Sequence, residues 1–226
     1  MGRTVLIGVT GPGRRLRWAW WATRWHLHRC RAEACYLTPT GGLPQGDFDG
    51  FVIGGGNDID PAIYGGDVSS SRSVDPQRDD FELSVLELAD QRGLPVFGIC
   101  RGSQLLNVHA GGSLHGDLKS LRRHTSNRGT LLPRKAVDVD ADSKLAAMLG
   151  AETARVNSLH HQSVKDLGKG LVISARDKDH IVQGIEAVDG PLRFGVQWHP
   201  EYMPQRREQR RLFASFVDYC RNRSSR

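Results

Sequence analysis

Short apolar runs alternate with amphipathic stretches through the first half of the chain. The apolar runs predict strands at residues 4–10, 34–37, 49–53 and 95–99. The stretches between them predict helices at residues 16–34 and 79–92, and a third helix beginning near Gly102. Strands that alternate with helices are typical of a parallel sheet covered on both faces. We therefore expect an α/β fold, a three-layer sandwich around a mostly parallel sheet.

The second half of the chain changes character. Its short alternating segments predict mixed or antiparallel strands at residues 136–139, 155–157, 171–175, 181–185 and 192–196. A small helix is expected at residues 143–149 and a closing helix at residues 205–220. Because no repeat or linker interrupts the pattern, we expect a single domain over residues 1–226, with a smaller antiparallel segment in its second half.

Composition narrows the class of protein. The chain has 226 residues, 38% of them hydrophobic, which is enough for a globular core. The net charge is +6, but the excess lies mainly in residues 14–31 and 206–226, which suit the solvated faces of helices. No aromatic-lined strand or known reading motif accompanies that charge, so a nucleic-acid partner is not expected. A membrane span or signal peptide is not expected either, and the expected location is cytoplasmic.

Four cysteines are present, Cys30, Cys35, Cys100 and Cys220. They form no CxxC pair and lack the density of a disulfide scaffold, so each is expected to be a free thiol in a reducing compartment.

Cys100 lies in the sharpest local motif, at the junction of a predicted strand and a predicted helix. Gly98 and Gly102 stand two residues before and two after it. An abrupt strand-to-helix turn needs such small residues, because side chains there would collide. A thiol near a helix N-terminus is favoured as thiolate, and the backbone N–H of Arg101 could donate to an oxyanion. The alternative is a buried structural cysteine in a tight turn.

A cysteine nucleophile needs a base that is held by a third group. His199 ends a predicted strand, Pro200 stiffens the connection, and Glu201 lies two residues beyond the histidine. This spacing would let Glu201 hold the imidazole in one tautomer toward Cys100. Considered without the cysteine, the same two residues could be an ordinary surface pair.

A glycine run, Gly54 to Gly56, ends another predicted strand. Missing side chains allow backbone N–H groups to approach a ligand, so Gly55 or Gly56 could supply a second oxyanion donor. A simple turn is the alternative interpretation.

Together these motifs carry a family resemblance. From about residue 48 to 216, the chain closely resembles the class I glutamine amidotransferases, and within them the peptidase C26 branch, which includes γ-glutamyl-γ-aminobutyrate hydrolase. The segments that carry it are Gly54-Gly55-Gly56, Gly98 to Val108, Asn157 to Gln162, and Gln197-Trp198-His199-Pro200-Glu201. Arg101, the paired histidines, and Asp75-Pro76-Gln77-Arg78-Asp79 favour the hydrolase branch over biosynthetic glutaminase subunits.

The resemblance implies roles for particular residues. It implies a catalytic triad of Cys100, His199 and Glu201, and a γ-glutamyl contact from Gln104. It further implies pocket-lining roles for Asn157, Ser158, His160, His161 and Gln162, with no metal and no organic cofactor.

The activity implied is hydrolysis of the γ-glutamyl amide of a small amine, such as γ-glutamyl-γ-aminobutyrate or a γ-glutamyl polyamine. Two alternatives stay open. One is a glutaminase subunit that delivers ammonia to a partner synthetase, and the other is a non-catalytic binding or regulatory relative of the same fold.

Two features depart from the family pattern. Gln183 stands where relatives commonly carry a glutamate, which puts substrate contacts there in doubt. The N-terminal helix carries Trp18, Trp21 and Trp25 on one face, among several arginines. We interpret that face as core or dimer contacts, with a lid over the leaving amine as the alternative and membrane-surface binding as a weaker one.

Overall fold

A nine-stranded sheet runs through the computed structural model, which describes residues 3–13, 18–67, 71, 73–126 and 128–223. The strands are β1 (Val5–Thr10), β2 (Ala32–Leu37), β3 (Gly50–Ile53), β4 (Val96–Ile99), β5 (Leu114–His115), β6 (Thr130–Val139), β7 (Thr153–Ser158), β8 (Ser163–Val164), β9 (Leu171–Asp177), β10 (Val182–Ala187) and β11 (Arg193–Val196). The helices are α1 (Trp18–Arg29), α2 (Pro76–Gln91), α3 (Arg101–His109), α4 (Lys144–Leu149) and α5 (Arg207–Arg223).

The strand order explains how the two halves of the sequence join. The sheet runs β2-β1-β3-β4-β11-β10-β9-β6-β7, and β5 pairs with β8 separately. Neighbours from β2 to β11 are parallel, and neighbours from β11 to β7 are antiparallel. The predicted α/β class is confirmed. The antiparallel segment of the second half extends the same sheet.

Helices cover both faces of this sheet and make the expected three layers. One apolar cluster contains Leu27 of α1, Leu145 of α4 and Phe213 of α5. The other contains Val85 of α2 and Leu105 of α3. None of the helices that the structure describes is long and apolar enough to cross a membrane.

The first helix differs from its prediction in extent and in orientation. Arg31 has a φ of 58°, a left-handed conformation that ends the helical path, and β2 then begins at Ala32. Trp18, Trp21 and Trp25 are 68%, 55% and 45% exposed, so the interpretation of their face as core is wrong. Contact of this face with a second copy of the chain stays a prediction. Residues 14–17, and 68–70 and 72 of the serine-containing loop, lie outside the described residues.

A buried ion network joins α2 to the end of β1 and to the start of α3. The Glu82 carboxylate accepts from Arg78 Nε at 2.8 Å, from Thr10 Oγ1 at 2.7 Å and from Arg101 Nη1. Arg101 also donates to Asp79, one turn earlier on α2. Glu82 therefore links β1, α2 and the first residue of α3.

These charges lie in the interior, where they depend on one another. Arg78, Asp79 and Glu82 are each 0% exposed, and Arg101 is 1% exposed. Burial would raise the pKa of Glu82, but the guanidinium groups of Arg101 and Arg78 hold it below its usual value. Removing one member of such a network leaves an uncompensated buried charge, which costs about 3–5 kcal/mol.

We therefore expect Glu82→Gln to lower the free energy of unfolding by roughly 3 kcal/mol or more, because Arg78 would lose the carboxylate that it pairs with and Arg101 would keep one of its two carboxylate partners, Asp79. Urea denaturation followed by circular dichroism measures this change. Glu87→Gln, an exposed position on the same helix, is the matched control and should change stability by less than about 0.5 kcal/mol. Equal stability of the two variants would contradict a structural role for the network.

Candidate active site

Cys100 occupies the turn between β4 and α3 with a strained backbone. Its φ is 53° and its ψ is −102°, which a non-glycine residue rarely adopts. A Cβ at Gly98 would lie 2.7 Å from the carbonyl group of Gly102, and one at Gly102 would lie 2.0 Å from the Ile53 carbonyl oxygen. Close packing therefore requires glycine at both positions, which is the physical basis of the predicted strand-to-helix turn.

His199 follows β11 and is held on one side by Glu201. The His199 Nδ1 lies 2.7 Å from Glu201 Oε1. The Cys100 thiol interacts with the same imidazole, and Nε2 is the ring nitrogen left for it. Tyr202 stacks on the ring with centroids 5.5 Å apart, which restricts its rotation. The structure therefore brings Cys100, His199 and Glu201 into one connected group.

The electrostatics of this group favour a protonated imidazole. Burial alone would lower the pKa of His199, but the adjacent Glu201 carboxylate and Cys100 sulfur raise it well above its usual value. An imidazolium beside a sulfur atom stabilises thiolate, so the arrangement could supply a nucleophile and a proton donor together.

Asn157, near the end of β7, fixes the backbone of His199. Its side chain accepts from His199 N at 2.8 Å and donates to His199 O at 2.8 Å. Asn157 and Ser158 are 1% and 2% exposed. The structure places both behind the site instead of in the cavity lining, where the resemblance had implied them.

A chain of amides leads to the sulfur atom. Gln104 Nε2 donates to the Gln162 carbonyl at 2.9 Å and to Gln197 Oε1 at 3.0 Å. Gln197 Nε2 in turn lies 3.5 Å from Cys100 Sγ. Gln104, expected to contact the γ-glutamyl group, thus also orients Gln197.

The glycine run lies directly against the histidine and the cysteine. A Cβ on Gly55 would meet His199 Cε1 at 2.6 Å and Cys100 Cβ at 3.6 Å. Arg78 Nη2 donates to the carbonyls of Gly54 and Gly55 at 3.2 and 3.0 Å. Because the C=O and N–H of a trans peptide point in opposite directions, the amides of Gly55 and Gly56 point away from Arg78. The N–H of Arg101 is the first of α3, where no intrahelical acceptor exists.

These groups open into a cavity of about 830 Å³. The predicted site residues that line it are Cys100, His199, Glu201, Gly55, Gly56, Arg101, Gln104, His160, His161 and Gln162. Burial lowers the pKa of His160 to about 3, so that ring is neutral at pH 7. His161 Nε2 pairs with Asp58 Oδ2 at 2.9 Å. The cavity therefore combines the Cys100 nucleophile with polar side chains, among them the neutral ring of His160.

Among the residues that the structure describes, no three histidine, cysteine, aspartate or glutamate side chains are grouped as a metal site would require. The structure describes all four cysteines and shows no disulfide between them, and Cys100 is the one that lines this cavity.

Four residues near the site were not singled out from the sequence. Gln197 begins the quoted histidine motif without having been given a role, and Tyr202 directly follows that motif, so proximity to His199 was the available signal. Arg78 lies in a segment cited only for its resemblance. His26 of α1 gave no signal, yet it stacks on Phe213 at 4.3 Å and its ring hydrogen-bonds the backbone of Glu201.

Comparisons with known proteins identify the family of the chain. The model of the family described as Peptidase C26 matches residues 46–201. The chain is 40% identical over 170 residues to a "putative glutamine amidotransferase" of Mycobacterium tuberculosis, covering 74% of this chain and 54% of that protein. The chain thus spans about half the length of this relative. It is 32% identical over 191 residues to the γ-glutamyl-γ-aminobutyrate hydrolase of Escherichia coli strain K12, covering 80% of this chain and 74% of that protein.

A solved structure shares the fold at low sequence identity. It is a "putative GMP synthase" polypeptide of Thermoplasma acidophilum, with a TM-score of 0.72 and 17% identity, covering 100% of this chain and 98% of that one. The architecture is that of the class I glutamine amidotransferases. The chain belongs to the peptidase C26 family and is a glutamine amidotransferase-like hydrolase.

Proposed function

We propose that this protein hydrolyses the γ-glutamyl amide of a small amine, releasing glutamate and the free amine. The observation that carries the proposal is the contact of Cys100 with an imidazole that Glu201 holds, within a cavity larger than glutamine needs. The sequence similarity to a γ-glutamyl-γ-aminobutyrate hydrolase supports the same class of substrate.

In the first step, Cys100 sulfur attacks the γ-carbonyl carbon and forms a C–S bond. The carbonyl oxygen becomes an oxyanion, which the N–H groups of Gly55, Gly56 and Arg101 stabilise. His199 donates its proton to the departing nitrogen as the C–N bond breaks, so the amine leaves neutral. A γ-glutamyl thioester remains on Cys100.

In the second step, water hydrolyses the thioester. His199, now neutral, accepts a proton from water, whose oxygen attacks the same carbonyl carbon. Collapse of that oxyanion breaks the C–S bond, and glutamate departs. Cys100 and protonated His199 are restored, which closes the cycle.

Gln104, Gln162 and the two cavity histidines are proposed to bind the glutamyl part of the substrate. Gln162 is 2% exposed and lines the cavity. Among the described residues, neither of its side-chain polar atoms has a hydrogen-bond partner at normal distance, although the amide lies close enough to the Tyr64 hydroxyl to lower the pKa of that group. A buried amide without partners carries a free-energy cost that a bound carboxylate or ammonium group would offset.

Cys100→Ala should abolish turnover, with a loss of at least about a thousandfold in kcat, because none of the other cavity side chains that the structure describes replaces the sulfur nucleophile. Release of amine and glutamate is measured on γ-glutamyl-γ-aminobutyrate, γ-glutamylputrescine, a folate polyglutamate and glutamine. Cys35→Ala, which removes a half-buried thiol outside the cavity, is the matched control and should keep full activity.

Cys100-dependent release from a γ-glutamyl amine, with little release from glutamine, would support the hydrolase. Glutamine as the only substrate would favour the glutaminase alternative, particularly if an added synthetase partner raised the rate. Full activity of Cys100→Ala would refute the mechanism.

Glu201→Gln should move the alkaline limb of kcat/KM to lower pH. The raised pKa of His199 keeps the leaving-group acid protonated, and activity falls as the pH rises through that pKa. Without the carboxylate charge, the Cys100 sulfur alone opposes burial, so the pKa of His199 falls and the proton is lost at lower pH. We also expect kcat to fall at least about tenfold, since the tautomer is no longer held.

The pH profile of kcat/KM is the measurement, with Glu33→Gln, an exposed carboxylate on β2, as the control. An unchanged alkaline limb in Glu201→Gln would show that Glu201 does not tune His199.

A further inference from the structure

One wall of the cavity is aromatic and lies at the α1 end, beyond the triad. Trp20 packs on Tyr36 with ring centroids 5.0 Å apart. Tyr36 donates its hydroxyl proton to the Pro12 carbonyl at 2.7 Å, and a Cβ on Gly11 would lie 2.6 Å from that hydroxyl oxygen. The ring pair is therefore fixed against the loop after β1, and both rings line the cavity.

Trp18 extends this wall at the cavity rim. It is the first residue of α1, lines the same cavity, and leaves 68% of its surface exposed. Trp21 and Trp25 are also exposed on α1, but they lie outside the cavity lining and pack under Arg24 and Arg29. Trp18 thus presents an indole ring to whatever occupies this end of the cavity.

The charged side chains that the structure describes in the lining already have internal partners. They are Asp58 with His161, Asp75 with the backbone N–H of Arg78, Glu201 with His199, Arg78 with Glu82, and Arg101 with Glu82 and Asp79. Within the described part of the chain, the α1 end of the cavity therefore offers rings and other uncharged groups for recognition. Aromatic rings attract an ammonium group as well as a flat ring, but a flat ring buries more apolar surface against them, so we favour it over a carboxylate or a second ammonium group.

The cavity volume fits a substrate of that kind. Ligand pockets of roughly 300–1,000 Å³ hold drug-sized molecules, and this cavity of about 830 Å³ lies in the upper part of that range. A γ-glutamyl group bound at Cys100 leaves the α1 end of the cavity for the group on the amide nitrogen.

We propose that the amine released by this enzyme carries an aromatic ring, which stacks on Trp18 and Trp20 while the amide lies at Cys100. This inference rests on the proposed function and specifies its leaving group. The bond changes are those of the hydrolysis above: the amide C–N bond breaks, His199 protonates the nitrogen, and an arylalkylamine departs.

The test compares γ-glutamyl phenethylamide with γ-glutamyl ethylamide, which has the same linkage without the ring. γ-Glutamylputrescine, γ-glutamyl-γ-aminobutyrate and glutamine complete the panel. We expect kcat/KM for the phenethylamide to exceed that for the ethylamide by roughly tenfold or more, the range of aromatic stacking and burial together.

Trp18→Ala should remove most of that preference, while its kcat/KM on the ethylamide stays within about twofold of wild type. Trp18→Phe keeps a ring and should keep most of the preference. Trp25→Ala is the matched control, since it removes the same ring from the same helix outside the cavity, whereas Trp21 makes a ring contact with Trp20. Trp25→Ala should behave as wild type.

Three outcomes would overturn the inference. Equal rates on phenethylamide and ethylamide would do so, as would a preference for putrescine or γ-aminobutyrate as the leaving group, or an equal loss on every substrate in Trp18→Ala. In each case Cys100-dependent release of glutamate would leave the proposed function standing. Absence of that release from every amide would overturn both.

Discussion

The carboxylate of Glu82 is the interaction on which the site depends most. It is buried, and it accepts from residues at the end of β1, on α2, and at the start of α3. Arg78, which it orients, holds the carbonyls of the glycine run, and Arg101 immediately follows the nucleophile. A single charged group therefore sets the relative positions of the nucleophile turn and the loop proposed to stabilise the oxyanion. Such networks need every member, because each buried charge is stable only with its partners.

Helix α1 serves the site from two sides. Its inward face carries Thr23, His26 and Leu27, and the His26 ring hydrogen-bonds the backbone of Glu201. Burial lowers the pKa of His26 to about 4, so the ring packs on Phe213 as a neutral group. The first turn of the same helix reaches the cavity rim. The helix thus couples the support of the triad to the wall proposed to hold the leaving amine.

The sequence was informative where constraints are local. Gly98, Cys100 and Gly102 predicted the nucleophile turn because the collisions that require glycine occur within five residues of chain. The alternation of strands and helices predicted the α/β class for a similar reason. The outer strands were located, but their continuity with the parallel sheet depends on pairings between segments far apart in sequence.

Other features could not be read from the sequence because they depend on which surfaces meet. Helical spacing places Trp18, Trp21 and Trp25 on one face, but it does not say that the opposite, more polar face packs inward. The role of Asn157 arises because the end of β7 meets the backbone of His199, 42 positions later. The sequence placed Asn157 in a motif, but only the fold shows that its side chain holds the backbone of His199.

The pairing of β4 with β11 determines whether the groups proposed for catalysis stay together during local unfolding. These central parallel strands pair Gly98 with Gly195 and Ile99 with Val196, so β4 and β11 end at the same level. Cys100 is the first residue after β4, and His199 is the third residue after β11. A slip by one residue would displace one of them by about 3.3 Å and reverse the side chains. Local openings begin at frayed edges and spare the most buried strands. The groups proposed for catalysis should therefore stay together during fluctuations that detach β2, and separate when the central strands open. Detachment of β7 would instead withdraw Asn157 from the backbone of His199.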